Sequence, residues 1–200
     1  MSAQSKWISL IILAAGKSIR FGSNKLLYKL DGETLIERVV RSCLESKAHE
    51  VVVVVGYEAN KIAETLRNLS CRIVHNPSFE KGQSYSVISG VKFVRDHAKA
   101  VIILPGDAAL VRVEYINKVI DEYNSTGSAI VVASYQGRMG HPILIDSELF
   151  DEVLKIGEET FGLKEIIHKH RSQIKLVEVG SREVLFDVDI RDDLRRLRRQ

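Results

Sequence analysis

Two runs constrain this chain more than anything else in it: "VVVVV" at 51–55 and "VIIL" at 101–104. Neither alternates apolar with polar side chains. A strand with one face in water would alternate, so each run reads as a strand buried on both faces, as in a parallel sheet covered by helices. Ile8–Leu13 and Ala129–Ala133 read the same way. Between these runs the apolar residues follow helical spacing. The sets are Leu35, Ile36, Val39, Val40, Cys43, Leu44; then Ile62, Ala63, Leu66, Leu69; then Val87, Ile88, Val91, Val94; then Ile116, Val119, Ile120, Tyr123. Strands alternating with helices require right-handed crossovers. The expected fold class is α/β, a three-layer α/β/α sandwich on a Rossmann-like, mostly parallel sheet. Past residue 134 the pattern loosens: "HPILI" and "KLVEVG" read as shorter strands, and a final helix is expected from near Asp189. No linker, repeat or low-complexity stretch interrupts the chain, so residues 1–200 read as one domain.

Charge excludes one function class. The 29 basic and 26 acidic side chains leave a formal charge of only +3, too balanced for a nucleic-acid binder. The visible basic cluster is the tail "RRLRRQ", Arg195 to Gln200, read as a solvated helix end or as a patch for an anionic partner. Cys43 and Cys71 form neither a CxxC pair nor a Cys/His cluster, and are expected as buried thiols in a reducing compartment. No apolar run approaches the ~18 residues of a membrane span, and no signal-peptide core is visible. A cytoplasmic protein is expected, with neither a membrane nor a nucleic acid as partner.

In open α/β sheets ligands bind outside the carboxyl ends of the strands. That places attention on 14–25, 56–60 and 104–110. The first holds "LAAGKSIRFGSNKLL", Leu13 to Leu27. It is neither GxGxxG nor GxxxxGK[ST]. Ala14, Ala15 and Gly16 are small enough for a ligand to approach the backbone, and loop N–H groups can cup an anion. Lys17, Arg20 and Lys25 bring cations matched to a triphosphate; the alternative is a glycine turn with solvated cations. In "VIILPGDAALV" a hydrophobic strand runs into Asp107, placed to hold Mg²⁺ or to serve as a turn or capping acid. In "FDVDIRDDL" Asp187 and Asp189 alternate as on a strand and so share one face. One of them completes a metal site, or Asp189 caps the final helix. Asp192 and Asp193 read as first-turn acids favoured by the helix dipole. Ser84 and Ser86 open a helix expected over 84–97, as N-caps or as ligand contacts. His141, between Gly140 and Pro142, is a tight-turn histidine or a phosphate contact. His168 and His170, two apart on a helix, face apart and form no metal pair.

Five ordered segments carry a resemblance. "LAAGKSIRFGSNKLL" is similar to LAAGxSxRFGxxKxL of the MobA-like nucleotidyltransferases. "HNPSFEKGQSYSVISGV" resembles NPxxxxGxxxSlxxG, "LPGDAALV" resembles LxGDxPxV, "GHPILIDSELFDEV" resembles GHPxxFxxxLFxxL, and "FDVDIRDDL" resembles DIDTPEDL. The AAG of the first motif, where guanylyltransferases carry AGG, makes the set most similar to molybdenum cofactor cytidylyltransferases, the MocA-like branch. The resemblance implies a nucleotide-diphospho-sugar transferase type of fold and a Mg²⁺-dependent transfer of CMP from CTP, or of another nucleotide from its NTP, to a phosphorylated small molecule. The implied acceptor is molybdopterin, with a molybdoenzyme as client. It implies nucleotide binding by Leu13, Ala14, Ala15, Gly16, Lys17, Ser18, Arg20, Lys25 and Gly106. Arg20, Lys25 and Asp107 become the catalytic set, Asp107 and Asp189 the metal ligands, and Ser84, Ser86 and His141 acceptor contacts. Guanylyl or sugar-phosphate nucleotidyl transfer, or a non-catalytic cofactor-binding accessory role for a molybdoenzyme, are the alternatives. Departures gather on the acceptor side. Ala109 and Arg191 replace prolines, Ile190 replaces a threonine, and "GEETFGLKEII" stands where GDxGAR is usual, with Gly162 and Lys164 only loosely matching.

Overall fold

A computed structural model describes residues 7–160 and 162–194. β1 (Ile8–Ala14) leads through a loop to the small hairpin β2 (Lys29–Leu30) and β3 (Glu33–Thr34), and then to α1 (Leu35–Leu44). β4 (Glu50–Val55), α2 (Ala59–Thr65), β5 (Arg72–His75), α3 (Gln83–Val94), β6 (Ala100–Pro105) and α4 (Val113–Thr126) continue the alternation. β7 (Ile130–Tyr135), β8 (Arg138–Asp146), α5 (Phe150–Val153), α6 (Leu163–Lys169) and β9 (Ile174–Glu178) follow.

The main strands form one seven-stranded sheet in the order β5-β4-β1-β6-β8-β7-β9. β1 pairs parallel with both β4 and β6, and β4 pairs parallel with β5. β8 runs antiparallel to both of its neighbours, and β9 returns parallel to β7. The mostly parallel sandwich is therefore what the strand runs predict. Their lack of alternation has a direct cause. Val51, Val53 and Val55 of β4 pack into the core on one face with α1 and α4, while Val52 and Val54 pack into the core on the other with α3. β6 divides likewise: Ala100, Ile102 and Leu104 go one way, Val101 and Ile103 the other. With both faces apolar, no polar position survives in these strands.

Local rules set the element ends. Thr34 and Glu37 form a reciprocal capping box at the start of α1, whose apolar stripe Leu35, Ile36, Val39, Val40 and Cys43 is buried. α4 ends on Gly127 at φ 65°, a left-handed C-cap. α3 lies close on the sheet because residue 90 is glycine: a Cβ there would stand 2.6 Å from Ile11 Cγ2.

Boundaries differ from expectation at several points. α3 covers 83–94 rather than 84–97, and α2 stops at Thr65, with Leu66 closing it and Leu69 beyond it. Cys43 is buried, whereas Cys71 is half-buried just before β5. Residues 186–189 are not a strand. Near Asp189 the chain makes a 3₁₀ turn, Arg191–Asp193; the rest of the expected final helix and the basic tail 195–200 lie outside the described residues. Among the described residues no helix is long and apolar enough to cross a membrane.

Topology fixes where a ligand can go. The chain steps outward from β1 through β4 to β5, then reverses to place β6 on the other side of β1. The order therefore switches between β1 and β6, and the crevice outside their carboxyl ends is the binding position in open sheets of this kind.

Candidate functional site

A cleft of about 380 Å³ opens at that switch point. This lies in the ordinary size range of small-molecule sites. Leu13, Ala15, Gly16, Lys17, Ser18, Ile19, Arg20 and Lys25 line it from the loop after β1, with Pro105 and Asp107 from the end of β6 and Asp189 from the C-terminal segment. Phe79, Gly82, Gln83 and Ser86 close the side toward α3.

The loop is held from both ends. Ala15 O accepts from Tyr57 N at 3.0 Å, and Leu13 O accepts from Gly106 N at 2.9 Å. A Cβ on residue 106 would stand 2.9 Å from that Leu13 oxygen, so only glycine lets the two strand ends close together. At Gly16, by contrast, an added Cβ would meet nothing within 4 Å, so the backbone there opens into the cleft. Ser18 sits in the left-handed region at φ 54°, an uncommon backbone for a non-glycine residue. Two residues of the expected nucleotide set do not line the cleft. The Ala14 side chain points into the core, because strand alternation turns it opposite to Leu13 and Ala15. Gly106 is bonded beside Leu13 at the strand end and is not in the lining. The 56–60 segment supports the loop through Tyr57 and is not part of the cleft lining.

Each of the three loop cations has a carboxylate partner. Lys17 Nζ donates to Glu80 at 2.5 Å. Arg20 forks onto Asp189 with bonds of 2.9 and 3.1 Å. Lys25 Nζ donates to Asp107 and, at 2.6 Å, to Val188 O, with Asp189 at 3.8 Å. Lys25 and Asp107 are the enclosed pair, their side chains 15% exposed. Asp189 is thus tied to Arg20 instead of capping a helix. The capping carboxylate is that of Asp193, which accepts from the N–H groups of Asp189 and Ile190 at 3.0 Å.

The acids crowd one another. Burial, with the charges of Asp107 and Asp189 added, pushes the Asp187 carboxyl up to about 6 against the pull of Lys25. Asp187 and Asp189 therefore meet at the Asp107–Lys25 pair although no strand sets their faces. Among the described residues no three His, Cys, Asp or Glu side chains form a metal cage. Asp107 and Asp189 remain as two oxygen donors converging on one ammonium, with a third carboxyl beside them whose ionisation is resisted. That donor set fits a hard divalent cation that keeps water and phosphate oxygens as its other ligands.

The three expected acceptor contacts divide. Ser86 lines the cleft, and its Oγ accepts from Asn76 Nδ2 at 3.1 Å. Ser84 is buried away from it, its Oγ without a hydrogen-bond partner and close against Gly162. Neither serine caps α3. The N-terminal N–H of Ser84 instead donates to Glu158 at 2.6 Å, so a carboxylate from a distant segment satisfies the helix end. His141 is in β8 and not in a tight turn; its Nδ1 is buried without a partner. Burial pushes the imidazole down to about 4, outweighing the opposing pull of Asp107, so the ring is neutral near pH 7. His168 and His170 do not pair: His170 is hydrogen-bonded to Glu152 at 3.0 Å.

Phe79 and Gln83 lie in the cleft without having been singled out as site residues. Both fall inside the "HNPSFEKGQSYSVISGV" segment. The readable signal was Asn76, which accepts from Ser78 N at 2.9 Å and bonds Ser86, so it folds residues 77–82 over the cleft.

The family model of the MobA-like NTP transferase domain matches residues 10–174. Bifunctional protein GlmU of Francisella tularensis subsp. novicida (strain U112) is 28% identical over 191 residues, covering 88% of this chain and 41% of that protein. The chain spans less than half the length of the curated relatives it matches. In fold it is similar to Rv0371c from Mycobacterium tuberculosis H37Rv, with a TM-score of 0.86, 23% identity and coverage of 99% and 100% of the two chains. It is also similar to a nucleotidyl transferase from Methanothermobacter thermautotroptrophicus, with a TM-score of 0.82, 23% identity and coverage of 98% and 97%.

Proposed function

The chain belongs to the MobA-like NTP transferase domain family, and from that premise we propose that it transfers CMP from CTP to the phosphate of a molybdopterin-type acceptor, releasing pyrophosphate. The observation that carries this reading is the switch-point cleft, where a glycine loop with Lys17, Arg20 and Lys25 faces Asp107 across the ends of β1 and β6.

Transfer at the α-phosphorus needs no covalent nucleophile on the protein; positioning and charge stabilisation dominate. The N–H groups around Gly16 and Ser18 cup the β- and γ-phosphates. Arg20 exchanges Asp189 for two phosphate oxygens, since its planar fork suits both partners. Lys25 exchanges Asp107 for the bridging side of the same phosphates and follows the charge that develops on the leaving pyrophosphate. Asp107 and Asp189 are the residues that would hold Mg²⁺, which supplies neutralisation of the phosphate oxygens when bound. Neutral His141, beside Asp107, offers a hydrogen bond rather than a charge to the incoming acceptor phosphate. Ala15, Gln83 and Ser86 line the side available to the base. Discrimination of CTP over GTP by tenfold in kcat/KM needs only about 1.4 kcal/mol there. The setting is the cytoplasm, with a molybdoenzyme as client.

The test is a pyrophosphate-release screen of four NTPs against molybdopterin and a panel of sugar phosphates. Release with CTP and molybdopterin supports the reading. Release only with a sugar phosphate removes the molybdopterin assignment, and release with no pairing removes the transferase reading.

A further inference from the structure

Phe79 lines the switch-point cleft but has no part in the phosphate chemistry. Its position is built into the fold. A Cβ on residue 56 would stand 2.5 Å from Phe79 Cβ and 2.6 Å from its Cγ, so only glycine leaves room for the phenyl group there. The same Cβ would stand 2.9 Å from Ala15 Cβ, so Phe79 and the phosphate loop pack against one residue. The turn that carries Phe79 is tied at its base. Buried Asn76 accepts from Ser78 N at 2.9 Å and donates to Ser86 Oγ at 3.1 Å. Ser78 O accepts from Lys81 N at 2.9 Å, and Phe79 O accepts from Gly82 N at 3.3 Å. A half-buried aromatic ring is thus held at a fixed place in the cleft wall, on the side that also carries Gln83 and Ser86.

A cation stands over that ring. Lys17 Nζ is 5.9 Å from the ring centroid, and its carboxylate partner, at 2.5 Å, is Glu80, the next residue in the chain. Among the described residues no other ring stacks on Phe79. A cation over an exposed aromatic face is weakly held. The side chains of Lys17 and Glu80 are 43% and 65% exposed, so water screens their attraction as well. A triphosphate entering the cleft carries several times the charge of Glu80. When Lys17 turns to it, the face of Phe79 is uncovered. A flat base is the part of a nucleotide that fits such a face, and stacking of this kind tolerates any base because every base has a π face.

We propose that Phe79 is the stacking platform for the base of the nucleotide, and that Lys17, held by Glu80, covers this platform until the phosphates draw the ammonium away. This rests on the transferase reading for the word nucleotide, and on the wall of the cleft for the chemistry. It divides the work of recognition. Phe79 adds affinity for nucleotides as a class, and the choice between CTP and GTP is left to the groups that meet the edge of the base.

The experiment is calorimetry on the full chain with CTP, GTP and inorganic triphosphate, which has the phosphates and no base. Phe79→Leu should weaken CTP and GTP alike, by about tenfold, and leave triphosphate binding at the parental level. That unchanged binding also shows that the variant is folded. Phe79→Trp should keep the parental affinity for CTP, and its added fluorescence should fall with CTP but not with triphosphate. Glu80→Gln should tighten CTP and triphosphate by a few-fold, and this gain should vanish in the Lys17→Ala background. Parental CTP affinity in Phe79→Leu overturns the inference. An equal loss for CTP and triphosphate overturns it too, because the ring would then be shaping the phosphate loop. A Glu80→Gln variant that binds both ligands as the parent does removes Lys17 as the cover. Phe79-dependent CTP binding in a protein that transfers no nucleotide keeps the platform and removes the activity. Transfer with the KM for CTP unchanged in Phe79→Leu keeps the activity and removes the platform.

Discussion

Glu50 and Asp107 sit at opposite ends of the central sheet, and each is a poorly exposed carboxylate with cations nearby. Glu50, at the start of β4, accepts from Ser9 Oγ at 2.6 Å and Trp7 Nε1 at 3.2 Å, and is 2.5 Å from His97 Nε2. Burial pushes its carboxyl up, but the bonds from Ser9, His97 and Trp7 outweigh this and hold it below the usual range. Asp107, past the end of β6, has Lys25 as its partner and two further acids around it, one of them pushed up to about 6. Glu50 is satisfied by groups that have no other task, which is the mark of scaffold. Asp107 shares a single exchangeable ammonium with Asp189 and has beside it Asp187, whose ionisation is resisted, which is the arrangement the proposed cation and phosphate site requires.

The sharpest way to break this contrast is to remove each acid in turn. Asp107→Asn should lower kcat by on the order of 10²-fold or more while leaving the melting temperature near that of the parent. Glu50→Ala should do the reverse: lose about 1–3 kcal/mol of stability in urea unfolding, because the buried Ser9 hydroxyl is left unpaired, with kcat unchanged. Near-normal turnover in the first, or a large rate loss in the second, would erase the distinction.

A smaller effect sharpens the comparison through pH. The folded-state value of Asp187 is raised, so the stability it lends is full below its unfolded value near 4 and is lost as pH climbs through about 6. Glu50, held low, has the opposite sign: its contribution is present above its unfolded value and disappears as pH falls. Asp187→Asn should therefore stabilise the ligand-free protein at pH 8 by about 1–2 kcal/mol and have little effect at pH 4. An unchanged slope between these pH values in urea titrations would mean that Asp187 is not crowded.

The smallest effect concerns the loop cations. Lys17 and Glu80 are an exposed pair, whereas Lys25 is enclosed. Calorimetry with CTP should show Lys25→Ala weakening affinity by tenfold or more, and Lys17→Ala by only a few-fold, since a solvated cation contributes little. Equal losses would make the loop a diffuse positive surface.

The fold was legible because both-face burial leaves an unmistakable trace, five valines in β4 and an unbroken apolar β6. The loop cations and Asp107 were legible because they sit at the ends of those strands. What was not legible depended on contacts across long sequence distances. The pairing of Arg20 with Asp189 joins residues far apart in the chain. The cap on α3 comes from Glu158, so the nearby serines gave a false lead. His141 reads as a turn residue beside Pro142, but its burial comes from the strand it joins, which no local pattern records. The turn of Ala14 into the core follows from alternation along β1 and could have been read from it.

The central claim is that the cationic loop and Asp107 act on the α-phosphorus of a nucleotide. The direct measurement is to incubate the protein with α-labelled CTP, Mg²⁺ and molybdopterin, and to separate the products, with α-labelled GTP in parallel. The account predicts labelled CMP joined to the acceptor, one pyrophosphate released for each transfer, and CTP used at least tenfold better than GTP. Label appearing only as CDP, with free phosphate, would place cleavage at the γ-phosphate and contradict the assignment of the loop.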